Sequence, residues 1–336
     1  RYNRLAANLG TATTLIAYIT IVSYQFKGGA KVVNIVTAGA VPENAATVIV
    51  AFLTVCYTIL AGMLSVVYTD VVNGVIMLAG VGLALIYMLT LVRGPSGLQS
   101  SAADAGKWSL VGHWEEESLT QSGGSAPLVI SSFFVPNMLL LLGDANMYQR
   151  IFSAQDSGAA HKAVLCWFVG VVLLESSISM LALSGAVAAS QGLIPDLALG
   201  GPSMTETVIP TLAFSLLPTW IGMILVACML AVIVSTADSF LLVPATNLAR
   251  DVYGLYINPN ASGAELILVT RALIFGGGVT AFILSDRFPT ILAAANTAYL
   301  IYGTSITPSL LAAFTWRRAT TTGAVASICT CSIQHS

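Results

Sequence analysis

The segment 231–253 places polar side chains inside an otherwise apolar stretch. Its sequence, AVIVSTADSFLLVPATNLARDVY, carries Ser235, Thr236, Asp238 and Ser239 within five residues. In a helix, Ser235, Asp238 and Ser239 share one face, because they are three and four positions apart. Hydroxyl and carboxylate oxygens are the ligands that a hard cation such as sodium takes when it sheds water. The alternative is that the hydroxyls bond to carbonyls one turn earlier and that Asp238 pairs with a basic side chain.

Two further carboxylates lie in apolar surroundings. Glu175, in VVLLESSISM, has no basic residue near it in the sequence. A charge at the centre of a membrane helix costs about 2.5–3.5 kcal/mol on insertion scales, so such a residue faces a cavity or a partner. We therefore hypothesise that Glu175 reaches a cavity, where it holds an amine or accepts a proton. Asp70, in VVYTDVVNG, lies near a predicted helix start, where it either complements the helix dipole or serves a site.

A third polar feature interrupts an apolar run. In LLGDANMYQR, the run is broken by Gly143, Asp144 and Asn146. A helix that breaks at this depth exposes unpaired backbone groups, which are tolerated where they line a binding cavity. The alternative is a plain helix end, with Asp144 as the N-cap of a short cytoplasmic turn.

The amino-acid composition indicates whether these polar groups belong to a soluble or a membrane protein. Of the 336 residues, 56% are hydrophobic and 8% are charged, whereas about a quarter of the residues of a soluble protein are charged. The chain is therefore predicted to be an integral membrane protein, with the lipid bilayer as a partner. Thirteen Lys and Arg residues and a net charge of -2 provide no basic face for nucleic acid.

The apolar runs predict an all-α polytopic bundle. A bilayer core needs about 20 apolar residues per helix, and spanning strands would be shorter and would alternate. About eight spans are predicted, with a truncated ninth at 319–333: 6–26, 44–63, 68–92, 127–151, 160–187, 218–249, 264–285 and 288–315. Ser235 then lies about 22 Å from the start of its span, which is mid-bilayer.

The loops predict the orientation. Basic residues are more frequent on the side of Arg1 and Arg4, so the N-terminal end of the chain is expected to be cytoplasmic in a multi-pass protein of the plasma (inner) membrane. The Gly- and Ser-rich stretch 93–126 is expected to be an external loop. A short interfacial helix is expected in 188–217, within TETVIPTLAFSLLP.

Four segments resemble the sodium/solute symporter family in the same order: LSVVYTDVVNGVIML, MYQRIFSAQDSGAAHKAV, IVSTADSFLLVPATNLARDVY and FTWRRATTTGAV. The resemblance implies a leucine-transporter-like inverted-repeat helix bundle. Residues 1–92 correspond to the last three helices of the first repeat and 127–315 to the second five-helix repeat. Residues 316–336 then form a cytoplasmic turn and a truncated further helix. The bundle is expected to be incomplete, since the N-terminal core helices of the same protein have no counterpart here.

The resemblance also implies ligands for sodium, which would be the coupling ion. The family's sodium site falls on Ser235 and Thr236, with the carbonyl of Val232 one turn earlier. A second sodium site falls on Asp70, Asp238 and Ser239.

Contacts to a small-molecule solute are implied at further positions. Leu140 and Leu141 occupy the places of an aromatic pair in sugar-carrying members, which disfavours a sugar. An amino acid, a carboxylate or an amine-type solute remains open. The other implied positions are Thr20, Tyr24, Gln25, Gly143, Asp144, Val171 and Glu175.

The predicted function is sodium-coupled symport of a small organic solute by alternating access. The protein is not expected to be an enzyme, because its three histidines are placed in loops or at the chain end and it lacks a Gly-rich phosphate loop before a Lys-Ser or Lys-Thr pair. Two alternatives stay open. One is the membrane sensor module of a signalling protein, and the other is proton coupling through Glu175 or Asp238.

Overall fold

A computed structural model describes residues 2–60, 62–104, 126–194 and 206–333, and this part of the chain is helical without strands. The first helices are α1 Arg4–Val36, α2 Glu43–Leu60, α3 Met63–Leu91, α4 Gly94–Asp104, α5 Ala126–Gly143, α6 Ala145–Phe152 and α7 Ser157–Ser190. They are followed by α8 Val208–Ser215, α9 Thr219–Asn247, α10 Gly263–Leu284, α11 Ile291–Ser305, α12 Thr307–Thr315 and α13 Thr321–Ile333. Helix α9 continues as a π-helical segment, Leu248–Ile257.

The predicted all-α membrane architecture is confirmed. Among the described residues, six helices are long and apolar enough to cross a membrane: Arg4–Val36, Glu43–Leu60, Val66–Leu91, Ser157–Ser190, Thr219–Ile257 and Gly263–Leu284. A helix satisfies its backbone hydrogen bonds within itself, as a membrane requires. The predicted interruption of 127–151 is also present, because α5 ends at Gly143 and α6 begins at Ala145.

A second broken span differs from the prediction. The span 288–315 was expected to be continuous, but it consists of α11 and α12, which meet at Ile306. Pro308 follows in the first turn of α12. Proline has no backbone N–H and its ring disturbs the preceding turn, which explains the interruption of the helix at this point.

Two connections also bear on the predictions. Part of the expected external loop 93–126 is helical, because Leu98 and Ala102 of α4 are one turn apart and pack with Val187 of α7. The rest of that loop, 105–125, lies outside the described residues. The short helix expected within 188–217 is present as α8, which begins at Val208.

Helices α1 and α9 form the centre of the bundle. Helix α9 packs against α1, α2, α3, α6 and α10. One apolar cluster joins α9 to α1, α2 and α10 through Phe26, Val55 and Leu241, and another joins α9 to α3, α7 and α8 through Met88, Leu181 and Leu225. Different faces of α9 therefore meet different partners, and this decides where each of its polar side chains lies.

Candidate cation and solute site

A cavity of about 520 Å³ lies against α3, α5, α6, α7 and α9. This volume is in the range of small-molecule sites. Its walls combine apolar and aromatic side chains with a few polar ones. The lining residues include Asp70, Leu141, Asp144, Asn146, Arg150, Trp167, Val232, Ser235, Thr236, Ser239 and Phe240.

The hydroxyls of α9 line this cavity as the sequence suggested. Ser235 and Thr236 both contribute to its wall, as does Val232 one turn earlier. Ser235 Oγ donates a hydrogen bond to Oδ1 of Asp70. The hydroxyl of Ser235 is therefore directed to a carboxylate on α3 and not to a carbonyl of its own helix.

Asp70 lines the cavity and lies beyond the first turn of its helix. It lies two turns into α3, which begins at Met63, whereas the free N–H groups of a helix lie in its first turn. Its side chain is 15% exposed and contacts Ser235 and Arg150. The position of Asp70 therefore differs from that of a residue that complements a helix dipole.

Arg150 is the main residue that the sequence analysis missed. Its Nη1 lies 2.7 Å from Oδ2 of Asp70, and its Nη2 donates to Oγ of Ser239 at 2.7 Å. Its Nε donates to Oδ1 of Asn146 at 3.1 Å. Arg150 stands in the MYQR segment of the family resemblance, but its spacing from 70 and 239 in the chain gives no signal of this contact.

Asp238 occupies a different environment from the other members of its predicted set. It is 1% exposed and is not among the residues that line the cavity. It faces Thr58 of α2, and neither carboxylate oxygen has a hydrogen bond of normal geometry to the described residues. The alternative in which Asp238 pairs with a basic side chain is not seen in the described part of the chain, where the ion pairs are Lys31–Glu206 and Arg150–Asp70.

The break between α5 and α6 is stabilised by two tyrosines. Tyr302 of α11 donates to the carbonyl of Gly143 at 2.8 Å. The backbone N–H of Ala145 lies 3.1 Å from the hydroxyl of Tyr18 and 3.2 Å from that of Tyr302. These hydroxyls take the place of the helical hydrogen bonds that the break removes, which membrane proteins require.

Asp144 combines the two roles that the sequence left open. Its Oδ1 accepts from the N–H of Asn146 at 3.2 Å, so it is the N-cap of α6. The same oxygen accepts from the hydroxyl of Tyr18. Its side chain also lines the cavity. Capping of α6 and exposure to the cavity are therefore both present.

Of the next four predicted solute contacts, one lines the cavity and three do not. Leu141 lines the cavity, whereas Leu140 is buried in a cluster with Tyr18. Gly143 packs against Thr307, at a distance that leaves no room for a Cβ. Thr20 bonds to the carbonyl of Ile16 in its own helix.

The predicted positions in the second half of α1 and on α7 do not line the cavity. The hydroxyl of Tyr24 lies 3.2 Å from that of Tyr299, and Gln25 is half-buried on the same helix. Val171 is half-buried and Glu175 is exposed. Glu175 is on an exposed face of α7 and is not among the residues that line this cavity, so its predicted contact with a solute has no counterpart in this geometry. His161, expected in a loop, lies in α7, while His113 and His335 fall outside the described residues.

A membrane helix bundle with a broken helix beside a polar cavity is the architecture of secondary transporters. The family model for the Sodium:solute symporter family matches residues 1–330. The chain belongs to this family. The predicted resemblance is thereby confirmed, as is the prediction that the protein is not an enzyme, because the family and the relatives below are transporters.

Two curated relatives and one solved structure illustrate the similarity. The chain is 25% identical over 286 residues to the sodium/pantothenate symporter of Haemophilus influenzae, covering 81% of this chain and 54% of that protein. It is 26% identical over 337 residues to the sodium/proline symporter of the same organism, covering 95% of this chain and 62% of that protein. The chain thus spans little more than half the length of these relatives.

The fold is similar to that of a Na+-coupled sialic acid symporter solved in a substrate-bound outward-open state, for which a novel Na+-site is described. The TM-score is 0.74 at 16% identity, and the match covers 100% of this chain and 75% of the other. This similarity confirms the leucine-transporter-like fold.

Proposed function

We propose that this chain carries the cation site and much of the solute site of a sodium-coupled symporter in the plasma (inner) membrane. The N-terminal end of the chain would be cytoplasmic. One observation carries the proposal: Ser235 and Thr236 line a cavity beside the Gly143 break, and Ser235 is hydrogen-bonded to a carboxylate. Oxygen donors at mid-depth in a membrane serve a small cation that has lost its water.

The proposed first sodium site comprises the hydroxyls of Ser235 and Thr236 and the carbonyl of Val232. The proposed second site comprises Asp70 and Ser239 at the cavity wall. Asp238, which is buried and does not line the cavity, is included as the third member that the family resemblance implies. Sodium would favour the state that binds solute, and by reciprocity the solute would increase sodium affinity by the same factor. No covalent chemistry is required.

A solute with a positively charged nitrogen, such as an amino acid or an amine, fits the cavity best. Among the described residues, Asp144 is a cavity carboxylate without an ion pair, whereas Asp70 is paired with Arg150. Trp167 and Phe240 provide aromatic surface in the same cavity, and aromatic faces attract cations. Leu141 replaces an aromatic stacking partner, which still argues against a sugar.

Uptake by the full-length protein in proteoliposomes tests this function. We expect a sodium gradient, and not a potassium gradient, to drive uptake of members of a panel of amino acids and quaternary amines. Ser235→Ala should raise the sodium concentration for half-maximal uptake roughly 5- to 100-fold, because a buried polar contact contributes about 1–3 kcal/mol. Thr246→Ala is the matched control, since the hydroxyl of Thr246 donates to the carbonyls of Leu242 and Val243 on the same helix and does not line the cavity. Uptake that is independent of sodium would contradict the proposal.

Proton coupling through Asp238 is a second candidate. The carboxylate is buried and lacks hydrogen bonds of normal geometry to the described residues, and burial of an unpaired carboxylate favours its protonated form. If Asp238 carries a proton, Asp238→Asn should remove the pH dependence of uptake and leave its sodium dependence unchanged. If Asp238 instead binds sodium, the same change should weaken sodium dependence.

A further inference from the structure

Arg150 binds the oxygens that a second cation would need. Its guanidinium contacts Oδ2 of Asp70 and Oγ of Ser239, each at 2.7 Å. Both residues belong to the proposed second sodium site. The positive charge between α3 and α9 is therefore supplied by a side chain of α6.

A sodium ion and the guanidinium of Arg150 exclude each other from this site for electrostatic reasons. A sodium ion held by Asp70 and Ser239 would lie within contact range of the guanidinium, and like charges repel strongly at that distance in a partly buried site. Oδ1 of Asp70 is already hydrogen-bonded to Ser235, so Oδ2 is the oxygen for which the two cations compete. Binding of one cation therefore weakens binding of the other.

We propose that Arg150 is a tethered cation that sodium displaces from the second cation site. This inference rests on the proposed sodium-coupled function. Because Arg150 belongs to α6, its release would free the inner half of the broken helix from α3 and from Ser239 of α9. The link between Gln149 and Asn247, at 3.2 Å, would remain and would keep α6 attached to the end of α9. Binding of sodium at the second site thereby controls whether Arg150 attaches α6 to α3 and α9.

The local geometry permits this exchange. The side chain of Arg150 is 39% exposed, whereas that of Asp70 is 15% exposed. Both line the same cavity, so the guanidinium has space to leave while Asp70 stays in place. Asn146, one turn earlier on α6, already accepts a hydrogen bond from Arg150 Nε and offers a contact that the displaced side chain can retain.

Chemical labelling of Arg150 in the unmodified full-length protein tests the inference. Phenylglyoxal reacts with accessible guanidinium groups, and labelling at each arginine is quantified by mass spectrometry in sodium or in potassium at equal ionic strength. We expect sodium to increase labelling of Arg150 severalfold. Arg317, which is exposed, is the internal control and should be labelled equally in both salts. In Asp70→Asn, labelling of Arg150 should be high in both salts.

A binding measurement provides the second arm. Arg150→Gln removes the competing charge, so its half-saturating sodium concentration, measured with ²²Na+, should fall by at least about fivefold, the lower end of typical coupling between sites. Lys162→Gln, an exposed change on α7, should leave sodium binding unaltered. Equal labelling of Arg150 in sodium and potassium, or weaker sodium binding in Arg150→Gln, would overturn the inference. Sodium binding by the unmodified protein in the same assay separates that result from failure of the proposed function.

Discussion

Glu206 and Lys31 form an ion pair that joins the segment before α8 to α1. Lys31 Nζ lies 2.5 Å from Oε2 of Glu206, and the two side chains are 13% and 12% exposed. Oε1 of Glu206 accepts a hydrogen bond from the backbone N–H of Ile291 at 2.7 Å. One carboxylate therefore connects three elements at the end of the bundle where α1 ends and α11 begins.

Neutralising this carboxylate should destabilise the protein. In Glu206→Gln, the ammonium of Lys31 is left largely buried without its partner, which costs about 3 kcal/mol. Thermal unfolding in detergent should show a lower midpoint, and Asp286→Asn, an exposed change, should not. The double variant Lys31→Met, Glu206→Leu should lose less than the sum of the two single variants. Strict additivity would show that the pair contributes no coupling.

Removal of the Tyr302 hydroxyl should loosen the break between α5 and α6. Tyr302→Phe loses the hydrogen bond to the Gly143 carbonyl and the contact to the Ala145 N–H. An unsatisfied buried backbone group costs about 1–3 kcal/mol. We expect a lower midpoint of thermal unfolding and faster hydrogen exchange in α6. Tyr68→Phe serves as the control, because Tyr68 is 68% exposed. Unchanged exchange in α6 would contradict the assigned role.

Asp144→Asn should alter solute selection. The change removes the unpaired carboxylate of the cavity and keeps a side chain able to cap α6, as Asn is an N-cap residue. We expect the KM for a cationic or zwitterionic solute to rise roughly 10-fold or more, as a lost charged hydrogen bond of about 1.5–3 kcal/mol predicts. Glu175→Gln is the control, since Glu175 is exposed outside the cavity. A similar rise in KM in both variants would remove Asp144 from the solute site.

A methyl group at Gly222 should disturb the packing of α8 on α9. A Cβ at this position would lie 2.1 Å from the carbonyl oxygen of Ala213, and a backbone atom cannot move aside as a flexible side chain does. Gly222→Ala should therefore lower the unfolding free energy by about 1–3 kcal/mol. At Gly276, a Cβ would meet nothing within 4 Å, so Gly276→Ala should be neutral or stabilising, because alanine favours a helix. Equal melting of both variants would contradict this contact.

The sequence was sufficient to predict the class of protein and to predict that Ser235 and Thr236 of α9 face a cavity. Long apolar runs predict spanning helices because the bilayer fixes their length. Six of the eight predicted full spans correspond to single long apolar helices among the described residues, and the other two, 127–151 and 288–315, are each divided into two shorter helices. Ser235 and Thr236 line the cavity, as polar groups at mid-depth must face a partner or a cavity. The interruption at Gly143 was also visible, because polar residues stand in the middle of an apolar run.

Other features escaped the sequence because they depend on contacts between distant segments. Glu175 and Asp238 both looked like mid-membrane carboxylates, yet the first is exposed on α7 and the second is buried against α2. The interruption at Ile306 was not predicted, because Pro308 stands within a mostly apolar stretch whose length suits one span.

The sequence by itself determined that the chain forms membrane helices and which stretches carry the oxygen donors, since hydropathy and helical spacing are local properties. The tertiary structure decided which of those donors meet. Arg150 reaches Asp70 and Ser239, and Tyr18 and Tyr302 reach the helix break, only because α1, α3, α6, α9 and α11 pack together in one bundle. The direction in which a side chain points depends on how its helix is rotated against its neighbours. That rotation follows from packing over the whole bundle.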